Sequence, residues 1–182
     1  MTPEQASALK SEVDAVAKEA RALTEGMDAA TLMKRPERGG WSVAENLQHL
    51  ILTADAMLPL AETAISALER DGRKTSRHSR LGLMGWLLTK SLEPPSRMKT
   101  RTAPPFEPVS VGDPLILCDR FLEGNANLGR LIARATGLAT NTVKVTSPFN
   151  PRVKYNAYAA LRIVLVHARR HLFQAAKVKT AG

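Results

Sequence analysis

The chain has 182 residues, a formal charge of +9 and a single cysteine, Cys118. That length can bury a hydrophobic core without covalent staples, so residues 1–182 read as one domain. One thiol excludes an internal disulfide and a cysteine-based zinc cluster, and it fits a reducing cytoplasm.

Aromatic residues make up only 4% of the chain while Ala and Leu are abundant, a balance that favours helix. The excess of cations invites an anionic partner: nucleic acid, a membrane surface or an acidic small molecule. The cations gather in two stretches, Arg70, Arg73, Lys74, Arg77 and Arg80, then Arg97, Lys99 and Arg101. Neither carries the interleaved aromatics of a single-strand stacking platform, which argues against nucleic acid. The longest apolar run, residues 81–89, falls well short of the roughly 20 residues that span a bilayer. The start, Thr2-Pro3-Glu4-Gln5, has no secretory pattern. The expected setting is therefore the cytoplasm, without a membrane, and the expected partner is a small-molecule substrate.

The first predicted helix covers residues 3–25. Thr2 is a suitable N-cap, Pro3 suits the first helical position and Gln5 completes a capping box. Leu9, Val13, Val16, Ala20 and Leu23 give one apolar face, and Gly26 ends the helix. A turn-rich breaker, Arg35-Pro36-Glu37-Arg38-Gly39-Gly40, leads to the second helix, residues 43–70. Ser42 and Glu45 form its capping box, Trp41 would staple its first turn, and Pro59 should kink it. Residues 71–111 read as irregular, with a short apolar segment that could close one end of a bundle. The third helix begins after Gly112-Asp113-Pro114 and runs to Gly137, and the last covers residues 154–178. No strand pattern competes with the helical one.

Four long helices of this kind make an all-α four-helix bundle. The connection of about 40 residues between the second and third helices can run the length of the bundle. That leaves those two parallel and gives up-down-down-up topology with a long irregular crossover.

The chemistry lies in the histidines. His167 and His171 are four residues apart, so on a helix both imidazoles share one face. His49 sits near the start of the second helix and His171 near the end of the last, and these ends meet if the two helices are antiparallel. Three imidazoles can then converge, which suits a divalent metal with an open fourth position. His78 lies in the basic stretch and is expected to face solvent. Cys118 is expected to be a small buried apolar group.

The run from Trp41 to Leu50, with His49, resembles the second-helix signature of the DinB-like (DinB/YfiT) superfamily. His167-x-x-x-His171-Leu172-x-Gln174 resembles its last-helix signature. The crossover Arg101-Thr102-Ala103-Pro104-Pro105 and the loop Ser147-Pro148-Phe149 resemble an uncharacterised branch of it. The resemblance covers essentially the whole chain. It implies an up-down-down-up bundle holding zinc or nickel on His49, His167 and His171. It also implies, from family members of known activity, a transferase or isomerase that uses a low-molecular-weight thiol, such as bacillithiol or mycothiol, and transfer of the thiol to an electrophile is the expected reaction.

Asn46 and Gln174, each about one turn from a histidine, are then candidates to bind the cofactor or orient a ligand. Arg170 could hold an anionic thiol, although a solvated position is the simpler expectation for it. Two other readings stay open: a metal-dependent hydrolase with Glu45 as general base, and a non-catalytic stress-related binding module. The segment Leu83-Met84-Gly85-Trp86-Leu87 is a candidate lid or homodimer contact, and equally a candidate part of the core.

Overall fold

A computed structural model describes residues 1–37, 39–95 and 102–180, and it is mostly helical. The elements are α1 (Pro3–Thr24), α2 (Ala29–Met33), α3 (Val43–Arg70), α4 (Gly82–Leu92), α5 (Leu117–Arg134) and α6 (Ala157–Thr180). Between α5 and α6 lie two short strands, β1 (Lys144–Thr146) and β2 (Lys154–Asn156). Single 3₁₀ turns occur at Pro104–Phe106 and Pro114–Ile116.

Both capping boxes form. Thr2 Oγ1 accepts from the Gln5 N–H at 3.3 Å, and Ser42 Oγ from the Glu45 N–H at 3.1 Å. Each fixes a helix start by satisfying N–H groups that have no partner within the helix. α3 runs unbroken through Pro59. The missing proline N–H deprives the carbonyl of Asp55, and both residues are exposed, so water can satisfy it.

Contacts between the helices fix their directions. α1 and α6 run the same way: Gln5 meets Tyr158, Glu12 meets Arg162 and Arg169, and Lys179 reaches the carbonyls of Ala22 and Leu23. α3 and α5 also run the same way, with Ala54 beside Gly124 and Arg134 on Glu62, Ser66 and Glu69. α1 opposes α5, since Val13 meets Asn125 and Ala20 meets Cys118. α3 opposes α6, with His49 near the start of one beside His167 and His171 in the later half of the other. The core between them is aliphatic, built on Leu9, Leu47, Ile65, Leu128, Leu161 and Leu165.

Several expectations change. Residues 154–156 are not helical: they pair antiparallel with β1, Tyr155 opposite Val145. Asn156 then caps α6, its Oδ1 accepting from the Ala159 N–H at 2.8 Å. Three extended residues are too few to set up a period that sequence patterning can detect. The third long helix begins at Leu117, after a separate 3₁₀ turn. The apolar segment of the crossover is α4, and it does not close an end of the bundle. It lies along α6, with Gly85 against Ala159. Cys118 is half-buried and its thiol points to the Ala20 carbonyl. His78 is exposed, as expected. The second basic stretch, residues 97–101, lies outside the described residues. α3 is long and apolar enough to cross a membrane, a property missed by a search for unbroken apolar runs. Much of its apolar surface meets α5 and α6.

A Cβ on Gly85 would sit 2.5 Å from the Ala159 Cβ. Gly85→Val is therefore expected to destabilise by about 1–3 kcal/mol through overpacking. Gly124→Ala meets only an ordinary 3.8 Å contact and should be neutral or mildly stabilising. Thermal unfolding of the two variants beside wild type checks the pair.

Candidate metal centre

Positions 46, 49 and 53 lie at helical spacing on one face of α3, and positions 167 and 171 on the facing side of α6. Because the two helices are antiparallel, the three imidazoles meet. The His49 and His171 ring centroids are 4.5 Å apart, His167 and His171 4.6 Å, and His49 and His167 5.0 Å. One ligand nitrogen from each lies within 4.8 Å of the others, a grouping that could hold a metal ion. His49 and His171 are buried and His167 is half-buried.

The proton positions follow from the partners. His49 Nδ1 is 2.7 Å from the Phe106 carbonyl oxygen, which can only accept, so Nδ1 carries the hydrogen. His171 Nδ1 is 3.0 Å from Asn46 Oδ1. The Asn46 amide donates to the Ser42 carbonyl at 2.9 Å, which turns its oxygen toward His171, so this Nδ1 is also a donor. His167 Nδ1 is 3.4 Å from Thr53 Oγ1, whose hydroxyl donates to the Leu50 carbonyl at 3.0 Å and is left to accept. All three histidines therefore present a bare Nε2 lone pair.

Two of those lone pairs face each other, His49 Nε2 to His167 Nε2, at 3.2 Å. Without a proton or a cation between them this contact is repulsive. Burial makes a proton costly. It lowers the pKa of all three, helped at His167 and His171 by neighbouring histidines and the Arg170 guanidinium. His167 is pushed down to about 3. A divalent cation suits the arrangement. Two imidazole nitrogens at 2.0–2.1 Å from a tetrahedral zinc lie about 3.3 Å apart. The residues present thus fit a metal, by donor type, tautomer and spacing.

The surroundings are partly as expected. Asn46 reaches the triad through His171. Gln174 is half-buried and, among the described residues, makes no hydrogen bond to any of the three histidines. Arg170 is not solvated: it is 7% exposed, and its guanidinium donates to the Ser91 carbonyl at the end of α4. Trp41 does more than staple a helix. Its ring lies 4.8 Å from His49 and 5.8 Å from His171, so it covers the centre. Glu45 is held away from base chemistry by Arg35 and the Ser42 N–H. Burial would raise its pKa, but these partners outweigh it and hold the carboxyl below its ordinary value.

Sequence reading missed two partners. Thr53 was detectable, being one turn past His49 on the same face. The Phe106 carbonyl was not, since it is a backbone atom of an irregular crossover 57 positions away. A water-sized cavity of about 30 Å³ borders His167, lined also by Thr53, Met57, Phe121 and Val164.

The family model described as the DinB superfamily matches residues 12–175, a span that includes all three histidines. No curated protein and no solved structure matches the chain.

Losing a partner of a ligating imidazole typically lowers metal affinity about 10–100-fold. Asn46→Ala and Thr53→Val are expected to do so, measured by competition with a chromogenic chelator. In the metal-free protein the unfolded chain takes up protons below about pH 6.5, while the buried histidines do not. Stability should therefore fall with pH, beginning below 6.5 and continuing toward about 3 at His167. Between pH 6.5 and 5, above the carboxylate range, the fall belongs mainly to the histidines. Urea midpoints of wild type and His167→Asn across that window read it, and the variant should show the shallower slope.

Proposed function

The chain belongs to the DinB superfamily, and on that premise we propose that it is a metal-dependent enzyme. His49, His167 and His171 hold one divalent ion through Nε2, and the reaction is transfer of a low-molecular-weight thiol to an electrophilic small molecule. The observation that carries the metal is the convergence of three Nε2 lone pairs whose Nδ1 hydrogens are all engaged. Three neutral imidazoles suit zinc or nickel. When bound, such an ion lowers the pKa of a thiol or water in its open position and so supplies a nucleophile at neutral pH.

The chain's own residues account for the rest. The Phe106 carbonyl, Asn46 and Thr53 fix the tautomer and orientation of one imidazole each. Trp41 shields one side from water. Arg170 places a buried positive charge beside His167 and His171, which opposes their protonation and favours an anionic ligand. In the transfer, the sulfur lone pair forms the bond to carbon, the leaving group departs with its bonding pair, and the thiol proton passes to solvent. The helix directions support the finer form of the fold, an up-down-down-up bundle with an irregular crossover.

The hydrolase reading is weaker, because it needs a general base and the Glu45 carboxylate is already committed to Arg35 and Ser42. A purely structural metal calls for a closed coordination sphere. Among the described residues the cluster has three His, Cys, Asp or Glu ligands and no fourth, which supports an open position.

Elemental analysis should find about one zinc or nickel per chain, lost in His49→Ala and His171→Ala. Loaded wild type, screened with small thiols against alkyl halide and epoxide electrophiles, should then consume thiol. A wild type that stays folded and takes up neither added zinc nor nickel would sink the metal-enzyme reading. One that binds metal but turns over no thiol would point to the non-catalytic module.

A further inference from the structure

We propose that the outer face of α4, with the basic end of the bundle beside it, is a docking surface for an anionic lipid bilayer. The first observation is a helix with apolar side chains on both sides. The inward side of α4 packs Gly85 against Ala159, with buried Thr89 and half-buried Leu88 and Leu92. Its outward side carries Leu83, Trp86 and Leu87, which are 83%, 51% and 52% exposed, with Met84 beside them. Among the described residues nothing covers them. Three large apolar side chains within five positions of one helix are not the scattered exposure of an ordinary surface.

The second observation is the charge around that face. Arg70, Arg73, Lys74, Arg77 and Arg80 are all exposed, and they lead directly into α4. They are not strung on a loose loop. The Arg73 carbonyl accepts from the Ala139 N–H and the Arg80 carbonyl from Asn156 Nδ2, both at 2.8 Å. The Thr75 N–H donates to the Gly137 carbonyl at 2.7 Å, and the Ser79 N–H to Gln5 Oε1 at 2.8 Å. The segment is thus pinned across the end of the bundle where α3 and α5 finish and α1 and α6 begin. Exposed Lys144 and Lys154 join it from the strands, and β2 packs against α4. The acids at this end are fewer: Glu4, Asp71 paired with Arg70, and Glu69 held by Arg134.

The combination selects the occupant. A second copy of the chain would bring like cations face to face across the apolar patch. A nucleic acid would use the cations and leave Leu83 and Leu87 in water. A bilayer surface with anionic headgroups satisfies both halves. The headgroup boundary accepts Leu83, Leu87 and the Trp86 ring, while the phosphates accept the arginines and lysines. An amphipathic face and a basic patch reinforce each other in such binding, because buried apolar area and attraction to anionic lipid add. With 11 residues α4 can only lie on the surface, not span it. The histidine centre is near the start of α3, at the opposite end, and this inference does not depend on it.

The test is co-sedimentation of the full chain with vesicles of phosphatidylcholine alone and of phosphatidylcholine with about one-third phosphatidylglycerol. Wild type is expected to partition at least about tenfold more strongly to the anionic vesicles and to be released by 0.5 M salt, as screening requires. Leu83→Ser/Leu87→Ser and Arg73→Glu/Arg77→Glu should each weaken that binding about tenfold or more while circular dichroism and melting temperature stay unchanged. Equal binding to both vesicles, or a leucine pair whose loss changes nothing, overturns the proposal. So does a wild-type dimer in sedimentation velocity that Leu83→Ser/Leu87→Ser dissociates, since the patch would then be a contact between copies.

Discussion

Three imidazole rings gathered between two facing helices are the constraint on which the rest of this structure turns. They meet only because α3 and α6 run in opposite directions, and their Nε2 lone pairs stay bare only because each Nδ1 hydrogen has an acceptor of its own. The 3.2 Å approach of His49 Nε2 to His167 Nε2 would be unfavourable between two neutral rings in a plain core. Burial opposes the proton that could relieve it, and the Arg170 charge nearby opposes it further. A fold that holds such a contact at the crossing of its two most intimately packed helices stores a preference for a cation there. Any metal held there would stabilise this end of the bundle, so affinity and stability would in this sense be one quantity.

Much of the scaffold was legible in the sequence because it rests on local rules. The capping boxes at Thr2/Gln5 and Ser42/Glu45 set two helix starts within three residues each. The apolar faces of α1 and α3 follow the helical period. The spacing of His167 and His171, with His49 near the opposite helix end, needed only the helix directions to become a cluster. What was not legible depended on partners distant in sequence or on backbone atoms. The carbonyl of Phe106 has no side-chain signature. Glu45 is legible as the capping-box partner of Ser42, but its pairing with Arg35 from across a turn is not. Residues 154–156 are too short to display a strand period, and their role becomes visible only when Asn156 is found capping α6 and tying down Arg80.

The functional reading inherits that division. The proposed ligand set rests on tautomers deduced from each Nδ1 partner: the Phe106 carbonyl, the Asn46 amide oxygen and the Thr53 hydroxyl. The assignment of Glu45 as a base fails on the same kind of reasoning: a carboxylate that accepts from a guanidinium and a backbone N–H is stabilised as an anion but is poorly placed to collect a proton. The reaction proposed above would consequently draw the acidity of its nucleophile from a bound ion and not from Glu45. A thiol, already the more acidic partner than water, asks less of its environment.

The chain's nine excess positive charges would oppose a cation at the histidine cluster if they lay beside it. Five cations, against the single acid Asp71, lie in the stretch from Arg70 to Arg80, beyond the far end of α3 and about 30 Å from His49 along the helix. That distance exceeds the screening length of physiological salt several times over, so the two ends are electrostatically independent. The histidine cluster is mostly buried, with the Arg170 guanidinium beside it. The other end carries a dense field outward, next to α4, whose Leu83, Trp86 and Leu87 are exposed. Separation along a long helix is what lets one chain combine a candidate cation site with a strongly basic surface.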